Sequence, residues 1–164
     1  MISPLDPIQY TPIGIVHSPF QEEEGMPIQS IVAEDVVGSV EVDPAYAEGL
    51  QDIAGFSHLF LLCHLHRASR RALVVTPCLD EQPHGVFATR SPKRPNPIGL
   101  SIVQLLRVEG CLLHVAGLDL LDGTPVLDIK PYIPRFDSRE TEQIGWFATR
   151  LHHLHKVRAD GRFR

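Results

Sequence analysis

The chain has 164 residues, 43% of them hydrophobic and 21% charged, with a mean hydropathy of -0.01, the proportions of one ordinary globular domain. No stretch reaches the ~20 unbroken apolar residues of a membrane-crossing helix, and Met1-Ile2-Ser3-Pro4 lacks the basic start of a secretory leader. The net charge of -5 hides a polarity: through His66 there are ten acids and no Lys or Arg, and from Arg67 onward fifteen basic residues face ten acids.

The first half reads as short strands. Ile13, Ile15 and His17 alternate with Gly14 and Val16 until Ser18-Pro19-Phe20 ends the run, and Pro12 suggests an edge position or a strand start. Val36–Val42 is a second strand. Asp43-Pro44 resembles an N-cap with Pro at the first helical position, opening a short helix through Leu50. Phe56–His66 is a longer buried strand with Leu59, Leu61, Cys63 and Leu65 on one face and His58, Phe60, Leu62, His64 and His66 on the other.

Ala72–Thr76 and Gly85–Thr89 are two short strands. Ile98–Val108, Glu109-Gly110 and Cys111–Ala116 form a hairpin, and Asp122-Gly123 marks a further reversal before Pro125–Ile129. Strands joined by turns, with no strand–helix alternation, predict a mainly β fold: a small antiparallel barrel with one short helix. In the tail, Asp137 and Glu140 have capping-box spacing, and Ile144, Phe147, Leu151 and Leu154 recur at helical intervals. A C-terminal amphipathic helix over about 138–157 is therefore expected, on a single domain whose core spans about 10–138.

Cys63, Cys78 and Cys111 are odd in number and have no metal-like spacing, the pattern of free thiols in a reducing, cytoplasmic setting. His58, His64 and His66 share a strand face, but Cys63 points the other way and neither a CxxC pair nor an HExxH helix occurs, so no metal site is expected. GxSxG, P-loop and GxGxxG motifs are likewise absent.

Two segments carry the chemistry. From Gly85 to Ser101, three prolines in six residues exclude helix and central strand. They stiffen a loop bearing Arg90, Lys93 and Arg94, suited to carboxylate or phosphate. From Asp119 to Tyr132, two or three carboxylates and a phenol lie near a tight turn, suited to ribose hydroxyls or a sulfonium cation. The basic window from Arg67 to Arg94 also includes Arg70 and Arg71 and only two acids, Asp80 and Glu81.

At these segments the sequence closely resembles the TsaA-like (TrmO) family of S-adenosylmethionine-dependent tRNA methyltransferases. The resemblance covers roughly Tyr10 to Ser138. It rests on Pro12-Ile13-Gly14 through Ser18-Pro19-Phe20, on Phe56-Ser57-His58-Leu59, on the proline loop, and on Leu121 to Tyr132. It implies a small barrel, usually dimeric, that uses S-adenosyl-L-methionine to methylate N6 of the modified adenosine at tRNA position 37. The implied donor contacts are Pro27, Ile28, Gln29, His66, Arg67, Arg90, Leu100, Asp122, Gly123, Thr124 and Pro125.

Asp128, Tyr132 and Asp122 are candidates for handling the amine proton, and Lys93, Arg94, Asn96 and Lys130 for contacting tRNA. The chain departs from the family where Pro-Arg-Gln is common, since Ile28 replaces the cation, and at Cys63-His64, where the family strand is usually aromatic. Many bacterial members also continue into a further C-terminal domain. A methyltransferase acting on a small metabolite or another RNA stays open as an alternative. So does a non-catalytic S-adenosylmethionine-binding module.

Overall fold

A computed structural model describes residues 6–68 and 70–162; the Met1-Ile2-Ser3-Pro4 start lies outside them. In chain order the elements are β1 (Gly14–His17), β2 (Val37–Val42), β3 (His58–His64), β4 (Val74–Val75), β5 (His84–Gly85), β6 (Ile98–Glu109), β7 (Leu112–Ala116), β8 (Pro125–Pro131) and a one-turn helix α1 (Pro134–Asp137). Six strands close into a barrel in the order β1-β2-β7-β6-β3-β8, and β4 and β5 form a separate two-stranded ribbon. Every barrel pairing is antiparallel. The predicted antiparallel barrel is therefore the fold, and closure leaves its strands no free edge.

Alternation drives the closure. Leu59, Leu61 and Cys63 are fully buried, as are Val16, Val40, Val103, Leu113, Val115 and Val126 from the other strands. Each such Leu or Val contributes about 1.5–3 kcal/mol on leaving water. β6 is long enough to pair with β3 through Ile98–Gln104 and with β7 through Gln104–Glu109, with a bulge between Leu105 and Arg107 where it bends. Gly38 lets β2 approach β1, because a Cβ there would meet the His17 carbonyl oxygen at 2.3 Å.

Several local expectations need correction. Asp43 caps as predicted, accepting from the Ala45 N–H at 2.8 Å, but Pro44–Leu50 winds as a 3-10 helix. Pro12 lies outside β1, which is paired on both sides and is no edge. The strand expected over Gly85–Thr89 ends at Gly85, and Val86–Ala88 turn as 3-10 helix. Asp122-Gly123 does turn tightly, with Gly123 at φ 74°, but it closes no hairpin: β7 and β8 are not neighbours.

The long C-terminal helix does not form. The tail instead makes two 3-10 turns, Gly145–Thr149 and Leu151–His153. Asp137 is spent at the end of α1, where its carboxylate accepts from the Ile133 N–H at 2.7 Å, so it caps nothing downstream. Gly145 at φ 60° interrupts the helical stripe, and specific hydrogen bonds hold the tail in its place. Trp146 Nε1 donates to the Ala88 carbonyl at 2.8 Å and its ring stacks on His84. Arg150 Nη2 reaches Asp80 at 3.2 Å. The Gly25 N–H donates to the Ala159 carbonyl at 2.8 Å, and the Ala159 N–H to the Met26 carbonyl at 2.9 Å.

Candidate functional site

Strand order alone places most of the candidates. In a closed antiparallel barrel neighbours alternate in direction, so β1, β3 and β7 end at one rim, where β2, β6 and β8 begin. The three connections there are 18–36, 65–97 and 117–124. They carry Pro27, Ile28 and Gln29; His66, Arg67, Arg90, Lys93, Arg94 and Asn96; and Asp122, Gly123 and Thr124, with Pro125 opening β8. Residues dispersed over a hundred positions thus share one end of the barrel.

Side chains join these connections in two clusters. In the first, Arg90 Nη1 donates to Gln29 Oε1 at 2.7 Å, linking the proline loop to the 27–30 segment. Asp119 lies within electrostatic reach of Arg90. It accepts from Ser101 Oγ at 2.5 Å and from the Ser30 N–H, with the Arg90 guanidinium acting on it. Burial pushes the Asp119 carboxyl above its ordinary range, against the opposing pull of Ser101 and Arg90. In the second cluster, Asp122 Oδ1 accepts from the Ser18 N–H at 3.0 Å. The Ser18 and Gln21 hydrogen bonds hold its carboxyl below the usual range. Arg67 Nη1 donates to the Gln21 carbonyl at 2.8 Å and faces Glu22 at 3.6 Å. The segment 119–122 runs from one cluster to the other.

The proline loop is rigid for reasons beyond its prolines. Thr89 Oγ1 donates to Val86 O and accepts from the Ser91 N–H, and Ser91 Oγ accepts from the Lys93 N–H. Arg94 Nη1 returns to the Thr89 and Ser91 carbonyls at 3.2 and 3.4 Å. Lys93 Nζ is occupied by the Arg162 carbonyl at 2.8 Å, and Asn96 is exposed. His66 is exposed too; partial desolvation of its ring, then the charges of Arg67 and His64, lower its pKa and favour the neutral imidazole.

Not every candidate reaches this rim. Asp128 and Lys130 occupy alternate outward positions of β8 opposite Leu62 and Phe60, and pair with each other at 2.7 Å. Tyr132 packs edge-on against Phe60 and His58. At about 3.3 Å per residue Tyr132 lies about 23 Å along the strand from Pro125, toward the opposite rim. Asp128 and Tyr132 are therefore not brought together with Asp122. The Leu100 side chain leaves β6 on the outer face, 55% exposed, whereas Ser101 beside it points in to Asp119.

Asp119 and Ser101 went unmarked as site residues in the sequence. Their only signal was an acid and a hydroxyl at the inward phase of apolar stretches. Among the described residues no three His, Cys, Asp or Glu side chains converge on a metal-sized site, and no helix is long and apolar enough to cross a membrane.

This is a small barrel whose loops at one rim build a polar site, and comparison identifies its family. Residues 15–138 match the model of the tRNA-methyltransferase O N-terminal domain. A probable S-adenosyl-L-methionine-binding protein of Pyrococcus abyssi is 54% identical over 99% of this chain and 88% of its own length. The tRNA (adenine(37)-N6)-methyltransferase of Escherichia coli is 39% identical over 79% of this chain and 60% of its own. The crystal structure of TrmO from Pseudomonas aeruginosa superposes with a TM-score of 0.73 at 39% identity, covering 87% of this chain and 62% of that one. The chain belongs to the TrmO family, and it spans about three-fifths of the length of these two bacterial relatives.

Proposed function

We propose that the protein is an S-adenosyl-L-methionine-dependent methyltransferase whose acceptor is N6 of adenosine 37 in tRNA. The observation that carries this reading is the hydrogen bond from Arg90 to Gln29, with Asp119 held by Ser101 where the Arg90 charge acts on it. It joins two of the three connections that bear the donor contacts implied by the family resemblance, and Asp119 belongs to the third. Chemically the set suits the donor. A guanidinium oriented by an amide matches a carboxylate, and the ionised Asp122 at a glycine turn can accept from ribose hydroxyls. When bound, S-adenosyl-L-methionine supplies an electrophilic methyl group on a sulfonium.

This chain's residues then have to orient, desolvate and accept. Arg90, held by Gln29, anchors the carboxylate end. Backbone at Pro27 and Gly123 lines the walls, with Pro27 buried. The exocyclic adenine amine must lose a proton as it gains a methyl group. Of the three candidates we assign that acceptor role to Asp122, because Asp128 and Tyr132 run toward the other rim. The same reading carries a cytoplasmic location and a homodimer. Self-association is supported by an apolar strip of β6 (Ile98, Leu100, Ile102 and Leu106) that stays exposed on the outer face.

The test is transfer of labelled methyl from the donor to unmodified and modified tRNA, followed by mapping of the label. Label at position 37 supports the proposal. Donor binding with transfer to no RNA favours a binding module, and transfer to a small molecule favours the metabolite reading.

A further inference from the structure

Beside the donor rim, where β3 leaves the barrel, lies a cleft of about 310 Å³ between residues 64–68 and 70–71 on one side and the proline loop on the other. Its polar lining comes from His64, His66, Arg70, Arg71 and Arg94, and no carboxylate lines it among the described residues. Arg70 and Arg71 are exposed and make no hydrogen bond or ion pair among the described residues. Arg67, by contrast, faces Glu22 at 3.6 Å and donates to the Gln21 carbonyl. The cleft is also built rather than accidental. The Ala72 N–H donates to the Lys93 carbonyl at 3.1 Å, and the Leu65 N–H to the Pro97 carbonyl at 2.7 Å. Both walls are thereby fixed to each other. Arg94 is oriented by its bonds to Thr89 and Ser91.

Unpaired guanidiniums on a stiff frame cost little ordering on binding an anion and release counterions when they do. Among the described residues no Phe, Tyr or Trp lines the cleft, so they offer no platform for stacking a base. Its chemistry reads backbone rather than sequence. A chain with a net charge of -5 repels RNA at long range, and this concentration of positive charge supplies the local attraction.

We propose that this cleft binds the phosphodiester backbone of the acceptor RNA, with Arg70 and Arg71 as phosphate contacts that nothing in the donor site uses. The proposal deepens the tRNA reading above and rests on it for the identity of the RNA.

The test uses the full chain and a labelled tRNA anticodon stem-loop, with affinity followed by fluorescence anisotropy across a salt series. The double variant Arg70→Gln, Arg71→Gln should flatten the slope of log affinity against log salt by about 1.4–1.8, about 0.7–0.9 for each phosphate contact. Affinity near physiological salt should fall roughly tenfold. S-adenosyl-L-methionine binding by calorimetry should stay unchanged. An unaltered slope with donor binding intact overturns the cleft alone. Loss of donor binding in the variant overturns it by making the cleft part of the donor site. Equal competition by polyglutamate overturns the assignment to RNA. Absence of donor heat in the wild type sinks the proposed activity instead, and leaves the salt slopes to decide the cleft.

Discussion

Asp119 offers the most discriminating test of how the site is built. Replacing it with Ala leaves Ser101 Oγ and the Ser30 N–H without their acceptor. A buried unsatisfied donor costs about 1–3 kcal/mol, and relief of the buried carboxylate offsets part of that, for a net loss of about 2–4 kcal/mol. For a domain of this size the melting temperature should fall roughly 5–15 °C. The Asn variant separates charge from shape. Because burial raises the folded pKa of Asp119 above 3.8, its stabilising contribution is complete below the unfolded value and lost as pH rises through the folded one. Wild type should therefore lose stability relative to Asp119→Asn as pH rises from the unfolded value through the raised folded one. Urea denaturation followed by circular dichroism at stepped pH reads this difference. A pH-independent difference, or one of opposite sign, refutes the buried-carboxylate argument, and an Ala variant that melts within a degree of wild type refutes the hub.

Arg90→Ala should weaken S-adenosyl-L-methionine binding about 10–150-fold, the loss of one charge-assisted hydrogen bond; calorimetry showing less than a twofold change would remove Arg90 from the donor site. Asp80 has the opposite pH sign to Asp119. His84 first, then backbone and Arg150 hydrogen bonds, hold its carboxyl well below the ordinary value, so its contribution is present above 3.8 and lost as pH falls through the folded value. Asp80→Asn should flatten the acid limb of tail release, read by fluorescence of Trp146, the one tryptophan in the sequence. Gly38→Ala should destabilise by about 1–3 kcal/mol or more, since its Cβ would press on His17 O and Leu118 Cδ1 at 2.3 and 2.5 Å; unchanged urea midpoints would show that β1 and β2 can separate without penalty. Ile102→Glu should yield monomers in sedimentation if the exposed β6 strip carries the homodimer, and unaltered dimers would move the interface elsewhere.

Much of the barrel was legible because a period of two states which face a strand buries. Leu59, Leu61 and Cys63 are buried as their alternation requires, the hairpin falls at Gly110, which takes φ 60°, and Asp43 caps where Asp-Pro predicts it. The stiffness of the proline loop was equally local, since proline restricts its own backbone wherever the chain goes. Periodicity says nothing about which strands become neighbours. Ring closure brings β8 against both β1 and β3, turns three connections toward one rim and sends Asp128 and Tyr132 toward the other. It brings Gln29 to Arg90 across 61 positions and Ser101 to Asp119. The tail was misread for the same reason. Spacings of three and four fit a helix, but bonds from Trp146, Arg150 and Ala159 to distant loops outweighed that local preference. A residue's phase along its own strand or helix is local information, whereas the identity of its partner is settled only when distant segments compete for the same surface and hydrogen bonds.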